Sequence, residues 1–264
     1  MGKDSEGRGR GVGTASRLSA AWDEAARRNA MHYVATEKRG WLPSEFLYSA
    51  IPLVNETVAP FVKAHVDPSN KRCLDIGCGL GRTTVALSYL FGEAYGVDFS
   101  PEMIDRARLL TRHLHSLSGT IDPHFVVNDG LTLPMYADGF FDLCFSYTMF
   151  QHIPDFRIIE SYIGEINRVL RGGGLFILQF NGARWGKVFK YVPVHRSLCN
   201  LALDSGLAHL YYHLTLKDHR GIPIFSGRYL SLEQLERVFA ETSLVITDVK
   251  GKDTRYMWLY GKKA

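Results

Sequence analysis

The chain predicts an α/β fold built on a mostly parallel sheet, and three features of its sequence carry that expectation. Between residues 70 and 180, short apolar runs alternate with longer amphipathic stretches, the pattern of strands joined by crossover helices. The first of those runs ends in a glycine-rich turn, "LDIGCGLGRTT" over residues 74–84, that leads into a helix. The last two apolar runs, "LVITDVKG" and "RYMWLYGKK", are joined around Lys252-Asp253-Thr254, a turn short enough for an antiparallel hairpin.

The elements follow in order. Residues 1–17 are glycine, serine and charge with little to bury, which reads as a disordered tail. Residues 18–66 are amphipathic and aromatic, with Trp22, Tyr33, Trp41, Phe46 and Tyr48, and read as a helical cap on the sheet's edge. "KRCLDIGC" is the first strand and "GRTTVALSYLFG" its helix, stopped by Gly92. "EAYGVDFS" is the second strand, and Pro101 opens the helix through "EMIDRARLLTRHLHSL", a favourable first position for proline. "HFVVND" and "FFDLCFSYT" are the third and fourth strands. "IIESYIGEINRVLRGGG" is a helix ended by its triple glycine, and "LFILQF" a fifth strand buried on both faces. Residues 181–228 show no clean strand but carry Trp185, Phe189, Tyr191, Tyr211, Tyr212 and Phe225, interleaved with His195, His209, His213 and His219. "SLEQLERVFAETS" is a last helix before the closing hairpin, which brings the sheet to seven strands.

Composition narrows the function. A hydrophobic content of 46% over 264 residues suits one large globular domain or two small ones. The net charge of +4, from 31 Lys+Arg against 27 Asp+Glu, lies partly in the N-terminal 17 residues and argues only weakly for nucleic acid. No signal-peptide core or membrane-length apolar run is present, so a soluble, cytoplasmic protein is expected. Cys73, Cys78, Cys144 and Cys199 form no CxxC pair and read as reduced thiols, and no convergent carboxylates suggest a metal.

A strand that runs into a glycine turn and then a helix presents backbone N–H groups to a ligand at the sheet's carboxyl edge. The dinucleotide fingerprint needs G-x-G-x-x-G, whereas here the glycines are Gly77, Gly79 and Gly81, with Arg82 in the third place. Arg82-Thr83 also lacks the Lys-Ser/Thr of a phosphate loop.

"LDIGCGLG" resembles the first motif of the class I S-adenosylmethionine-dependent methyltransferases. In the same order, "GVDFSPEMI" resembles the second, "VVNDGLTLPMYADGFFDLCFSYTMFQHI" the third and fourth, and "EINRVLRGGGLFIL" the helix and strand beyond. The resemblance covers roughly residues 70–180 and implies a Rossmann-like, seven-stranded, mostly parallel sheet with a terminal antiparallel hairpin and helices on both faces. It also implies a methyltransferase domain over 67–264, with 181–228 inserted as a substrate lid after the fifth strand, and S-adenosyl-L-methionine as cofactor.

In that setting Gly77, Cys78, Gly79 and Gly81 would admit an aminoacyl tail and ribose against bare backbone. Asp75 would receive the ammonium group and Asp98 both ribose hydroxyls. Phe99 and Met103 would line the adenine, Asp129 would accept from its exocyclic amine, and Gly130 and Leu131 would offer backbone N–H groups. Ser146 and Tyr147 would border the methionine end. Each aspartate has a structural alternative: Asp75 as a cap of the following helix, Asp98 as a cap ahead of Pro101, and Asp129-Gly130 as an ordinary turn. Their succession at strand ends along one edge favours a site.

His152, in "FQHIPD", is the first candidate for a base, because an imidazole titrates near neutral pH; the alternative is a brace for the loop before Pro154. The aromatic residues of the cap and of 181–228 suggest a small, apolar or aromatic acceptor, with oxygen preferred over nitrogen or carbon. Methylation of RNA or protein would call for a basic surface or an Asn/Asp-Pro-Pro-Tyr/Phe type loop, which "SYTMFQHIPD" is not. A cofactor-binding scaffold without catalysis is a further alternative, against which the unbroken glycine motif counts. Monomer and homodimer both stay open, since the aromatic N-terminal segment could pair across a dimer.

Overall fold

Period-two burial builds the central sheet. In β1 (Arg72–Ile76), Leu74 and Ile76 enter one core while Cys73 enters the other. The same split separates Cys144 from Leu143 and Phe145 in β4 (Phe141–Ser146), and Phe176 and Leu178 from Leu175 and Ile177 in β5 (Leu170–Phe180). Strands apolar on both sides need cover on both faces. With β2 (Glu93–Asp98), β3 (His124–Val127), β8 (Leu244–Lys250) and β9 (Met257–Lys263), the order is β3-β2-β1-β4-β5-β9-β8. All neighbours are parallel except β9, which is antiparallel to both β5 and β8. The computed structural model describes residues 2–35, 38, 40–118, 122–189, 192–195, 197–198, 200–201, 205 and 227–264.

The helices are α1 (Gly2–Val34), α2 (Pro43–Tyr48), α3 (Ile51–Leu53), α4 (Ala59–Lys63), α5 (Arg82–Ser88), α6 (Pro101–Ser118), α7 (Phe156–Val169) and α8 (Leu232–Ala240). A π-helical turn, Val54–Val58, joins α3 to α4. α7 buries Ile158, Ile159, Tyr162, Ile163, Ile166 and Val169, a helical-period stripe against the face formed by Leu74, Cys144 and Phe176. α8 begins with a reciprocal cap: Ser231 Oγ accepts the Gln234 N–H and the Gln234 side chain accepts the Ser231 N–H.

Four expectations change. Residues 2–17 are not a tail but the first half of α1, and from Ala15 onward the helix is packed against the body of the protein. Asn29 breaks α1 (φ −167°, ψ 79°), and its Oδ1 accepts the His32 N–H, so the last turn restarts under a side-chain cap. The triple glycine does not end α7; Leu170 is already extended and buried, and Gly172–Gly174 lie in β5 as an irregularity between the pairs Phe141–Leu170 and Leu143–Leu175. The end of the helix is instead satisfied by Lys263 Nζ, which donates to the carbonyls of Asn167 and Leu170.

The third change is between β3 and β4, where the loop 128–140 replaces a crossover helix. Arg168 donates to the carbonyls of Leu133 and Tyr136, both at 2.8 Å, and Glu165 accepts the Leu133 N–H at 2.6 Å. The fourth lies after β5, where β6 (Trp185–Phe189) and β7 (Val192–His195) form a two-stranded antiparallel sheet. His209, His213, His219, Tyr191, Tyr211, Tyr212, Phe225 and Cys199 lie outside the described residues. Among the described residues no helix is long and apolar enough to cross a membrane.

Candidate functional site

The turn after β1 takes its shape from its neighbours. Gly77, Gly79 and Gly81 all have positive φ (77°, 53° and 82°). A Cβ at Gly77 would lie 2.3 Å from Met149 Cγ, so this backbone accepts no side chain. The N–H groups of Gly77 and Cys78 donate to the Val97 carbonyl, and that of Gly79 to Asp98 Oδ2 at 2.9 Å. The turn is thereby tied to the end of β2.

Asp98 is 8% exposed and accepts twice, at Oδ2 from Gly79 and at Oδ1 from the Ser100 N–H at 2.9 Å. Burial raises its pKa to about 6 against those two hydrogen bonds, and the negative charge of Asp23 adds to the rise. A carboxylate held in this way keeps lone pairs open to further donors.

These groups border a cleft of about 590 Å³ that is open to solvent. On it stand Gly77, Gly79, Asp98, Phe99, Met103, Tyr147 and His152. A narrower extension reaches Gly130, where Ala15 of α1 closes against Gly130 and Phe99. Of the expected residues, these eight are brought together.

Six others face elsewhere. Asp75 is 1% exposed, and its Oδ2 accepts the hydroxyls of Thr83 and Thr84 at 2.5 and 2.7 Å, bracing the first turn of α5. Burial also raises Asp75 to about 6, so its charge depends on those hydroxyls. The Cys78 thiol packs with Ile104, Ala107 and Phe125, and burial pushes its pKa up. A Cβ at Gly81 would meet the Phe125 ring at 2.5 Å, so this glycine serves packing between helix and strand. Asp129 is exposed and closes its own turn, accepting from the N–H groups of Leu131 and Thr132 and from the Thr132 hydroxyl. The Leu131 N–H is thereby used. Ser146 is fully buried and donates to the Ile76 carbonyl at 2.9 Å, joining β4 to β1. For Asp75 and Asp129 the local structural alternative describes the contacts that are made.

The other wall of the cleft comes from residues given no individual role by sequence. α1 supplies Leu18, Trp22, Tyr33 and Val34, and the segment after β4 supplies Thr148, Met149 and Ile153. Thr148 has φ 59°, and its N–H donates to Oε1 of Gln179, a buried side chain of β5. The aromatic content of residues 18–66 was the available signal for α1. Nothing in "SYTMFQH" announces the strained Thr148.

His152 ends a short 3-10 turn, Phe150–His152, and packs edge-on to Trp22 with ring centroids 5.4 Å apart. Gln151 Nε2 lies 3.2 Å from His152 Nε2. Gly227 presses so closely on the Gln151 carbonyl that any Cβ would collide with it, and Arg228 Nε donates to the Pro154 carbonyl at 2.9 Å. The chain returning from 181–228 thus braces the histidine turn. Tyr147 stacks on Trp258 of β9 at 5.4 Å, with the Arg82 guanidinium 5.9 Å from its ring.

A mostly parallel seven-stranded sheet with one antiparallel insertion, a glycine turn after its first strand and a buried acid ending its second define the Rossmann-like class of methyltransferase folds. The similarity to known proteins agrees: residues 74–178 match the family described as "Methyltransferase domain". The chain is 31% identical to demethylmenaquinone methyltransferase of Staphylococcus haemolyticus, over 48% of this chain and 50% of that one. It is 26% identical to ubiquinone biosynthesis O-methyltransferase of Xanthomonas axonopodis pv. citri, over 53% and 56%. The chain therefore spans about half the length of these curated relatives. A solved geranyl diphosphate methyltransferase, in complex with GPP and sinefungin, shares the fold with a TM-score of 0.60 at 16% identity, covering 95% of this chain and all of that one.

S-adenosylmethionine is the cofactor of this family. The bare backbone of Gly77, the buried Asp98 carboxylate and the apolar Phe99 and Met103 on one cleft fit a ligand that presents ribose hydroxyls beside an apolar base.

Proposed function

We propose that the protein transfers a methyl group from S-adenosylmethionine to a small apolar or aromatic acceptor, with oxygen as the favoured nucleophile. The observation that carries this reading is Asp98, a buried carboxylate on the cleft wall beside the side-chain-free turn at Gly77 and Gly79. Asp98 would accept the ribose hydroxyls, and Phe99, Met103 and Gly130 would enclose the base. The bound cofactor supplies a sulfonium methyl open to in-line displacement, in which an acceptor lone pair forms the new bond and the C–S pair stays on sulfur.

The chain's own task is then to hold the acceptor and exclude water. Trp22, Tyr33, Met149 and Ile153 give the cleft an apolar wall, which supports an apolar acceptor. The relatives, a demethylmenaquinone methyltransferase and a ubiquinone biosynthesis O-methyltransferase, support a small aromatic one. For a hydroxyl acceptor, His152 takes the proton. Asp75 and Asp129 would act on the cofactor only indirectly, by holding the turns that carry Gly77 and Gly130.

The test is a panel of phenols, hydroquinones, amines and enols incubated with the protein and S-adenosylmethionine, read by mass spectrometry of the methylated product. Methylated phenol or hydroquinone is expected. Methylation of amines alone would overturn the oxygen preference, and turnover only on RNA or protein would overturn the small-molecule reading.

A further inference from the structure

The helix that roofs the cleft also grips its floor. From α1, Leu18 and Trp22 stand on the cleft wall, while Ser19 and Asp23 turn to the segment 98–103. Ser19 Oγ donates to the Phe99 carbonyl at 2.8 Å. Asp23 Oδ1 accepts the Ser100 hydroxyl at 2.5 Å and the Glu102 N–H at 3.2 Å. Ser100 is the hub: its hydroxyl oxygen accepts the Met103 N–H at 3.1 Å, and its own N–H donates to Asp98 Oδ1.

Helix α6 explains why an outside acceptor is useful. Its first residue, Pro101, has no N–H, so the first free donors are those of Glu102 and Met103. Ser100 can satisfy one of them, and Asp23 reaches across from α1 to take the other. An acid here also has a cost, because its charge opposes that of Asp98. A carboxylate kept in an unfavourable place, and used through both a hydroxyl and a backbone N–H, argues for a role beyond packing.

We propose that Asp23 is a positioning residue for cofactor binding: it seats α1 on the β2–α6 junction and, through Ser100, fixes the Asp98 carboxylate and the Phe99 and Met103 walls. The break at Asn29 lets the part of α1 before it seat or lift as one rod, with the Asp23–Ser100 contact as its latch. This inference rests on the cofactor reading of Asp98 given above.

The test is calorimetric titration of the full chain with S-adenosylhomocysteine, comparing wild type, Asp23→Ala, Asp23→Asn and Ser100→Ala, together with the tryptophan emission of each ligand-free protein. Trp22→Phe assigns the Trp22 contribution. Asp23→Ala and Ser100→Ala should weaken binding about tenfold, whereas Asp23→Asn, whose amide oxygen still accepts, should stay within about threefold of wild type. In the ligand-free proteins, the Trp22 emission should shift to the red in Asp23→Ala and hold in Asp23→Asn. Should Asp23→Ala melt below the assay temperature, Ser100→Ala and Asp23→Asn carry the same comparison. Wild-type affinity in Asp23→Ala or Ser100→Ala, or a loss in Asp23→Asn as large as in Asp23→Ala, would overturn the inference alone. Absence of binding by the folded wild type would overturn it together with the cofactor reading.

Discussion

Asp98 joins the chemistry of the site to the stability of the fold. Its folded pKa of about 6 lies above the ordinary value of 3.8, so the native state holds the proton more tightly than the unfolded chain. The favourable contribution of the protonated side chain is therefore complete below pH ~4 and is lost as the pH rises toward 6. The stability of wild type relative to Asp98→Asn should fall between pH 4 and 6.5, measured by denaturant midpoints. A pH-independent difference would mean that the carboxylate is solvated in the native state. Asp75 is raised in the same direction, and comparison with Asp98→Asn removes most of its share. His152 makes a separate prediction: His152→Ala should keep S-adenosylhomocysteine affinity within about threefold while turnover on a phenolic acceptor falls about a hundredfold. Unchanged turnover would make the ring a brace between Trp22 and Gln151. Gly77→Ala should abolish cofactor binding, because the new methyl group meets Met149 in a left-handed backbone position; retained affinity would show that Met149 gives way. Which of these residues reach the cleft was only partly legible in the sequence. Spacing located the strand ends, and Gly77, Asp98 and Phe99 follow from that. The direction of a carboxylate depends on local partners, and Thr83 and Thr84 claim Asp75 just as the 131–132 backbone claims Asp129.

At the scale of elements, β1, β4 and β5 were readable because burial on both faces leaves a continuous apolar signature, whereas the edge strand β8, largely exposed, was readable from its pairing turn with β9. The boundaries that sequence misplaced are those where tertiary contacts override local signals. Gly172–Gly174 read as a helix stop, but Lys263 closes α7 and leaves the glycines to a strand irregularity. Residues 2–17 read as a tail because the contact that anchors this part of α1, Ala15 against Gly130, joins positions more than a hundred residues apart in sequence. The loop 128–140 shows how an α/β unit dispenses with its helix. Arg168 and Glu165 bind its backbone at Leu133 and Tyr136, while Tyr136 stacks on Phe140 and meets Phe141 edge-on. Arg168→Ala should cost about 2–3 kcal/mol, since it strips several charge-assisted hydrogen bonds from partly buried carbonyls. Equilibrium denaturation measures this, and a loss under about 0.5 kcal/mol would mean that the aromatic stack holds the loop by itself.

The whole molecule divides its labour between the sheet edge and the elements laid over it. The strands β1, β2 and β4 bring the glycine turn, Asp98 and the Tyr147–His152 segment to one end, and that arrangement falls within the family match at residues 74–178. In the proposed function the acceptor would meet α1, which lies outside that match, as does the chain returning at Gly227 and Arg228, which packs on Gln151 and Pro154. This division accounts for a cofactor half that is readable from motifs and an acceptor half that is not: backbone turns repeat across a family, whereas the apolar wall is made of residues whose type alone is uninformative. In the proposed function one cleft, centred on Asp98, takes S-adenosylmethionine. Isothermal titration of the full chain with S-adenosylhomocysteine tests it most directly. Saturable binding of one ligand per chain is expected, weakened by at least about tenfold in Asp98→Ala with the fold intact. Equal affinity in Asp98→Ala, or no binding by the folded wild type, would contradict it.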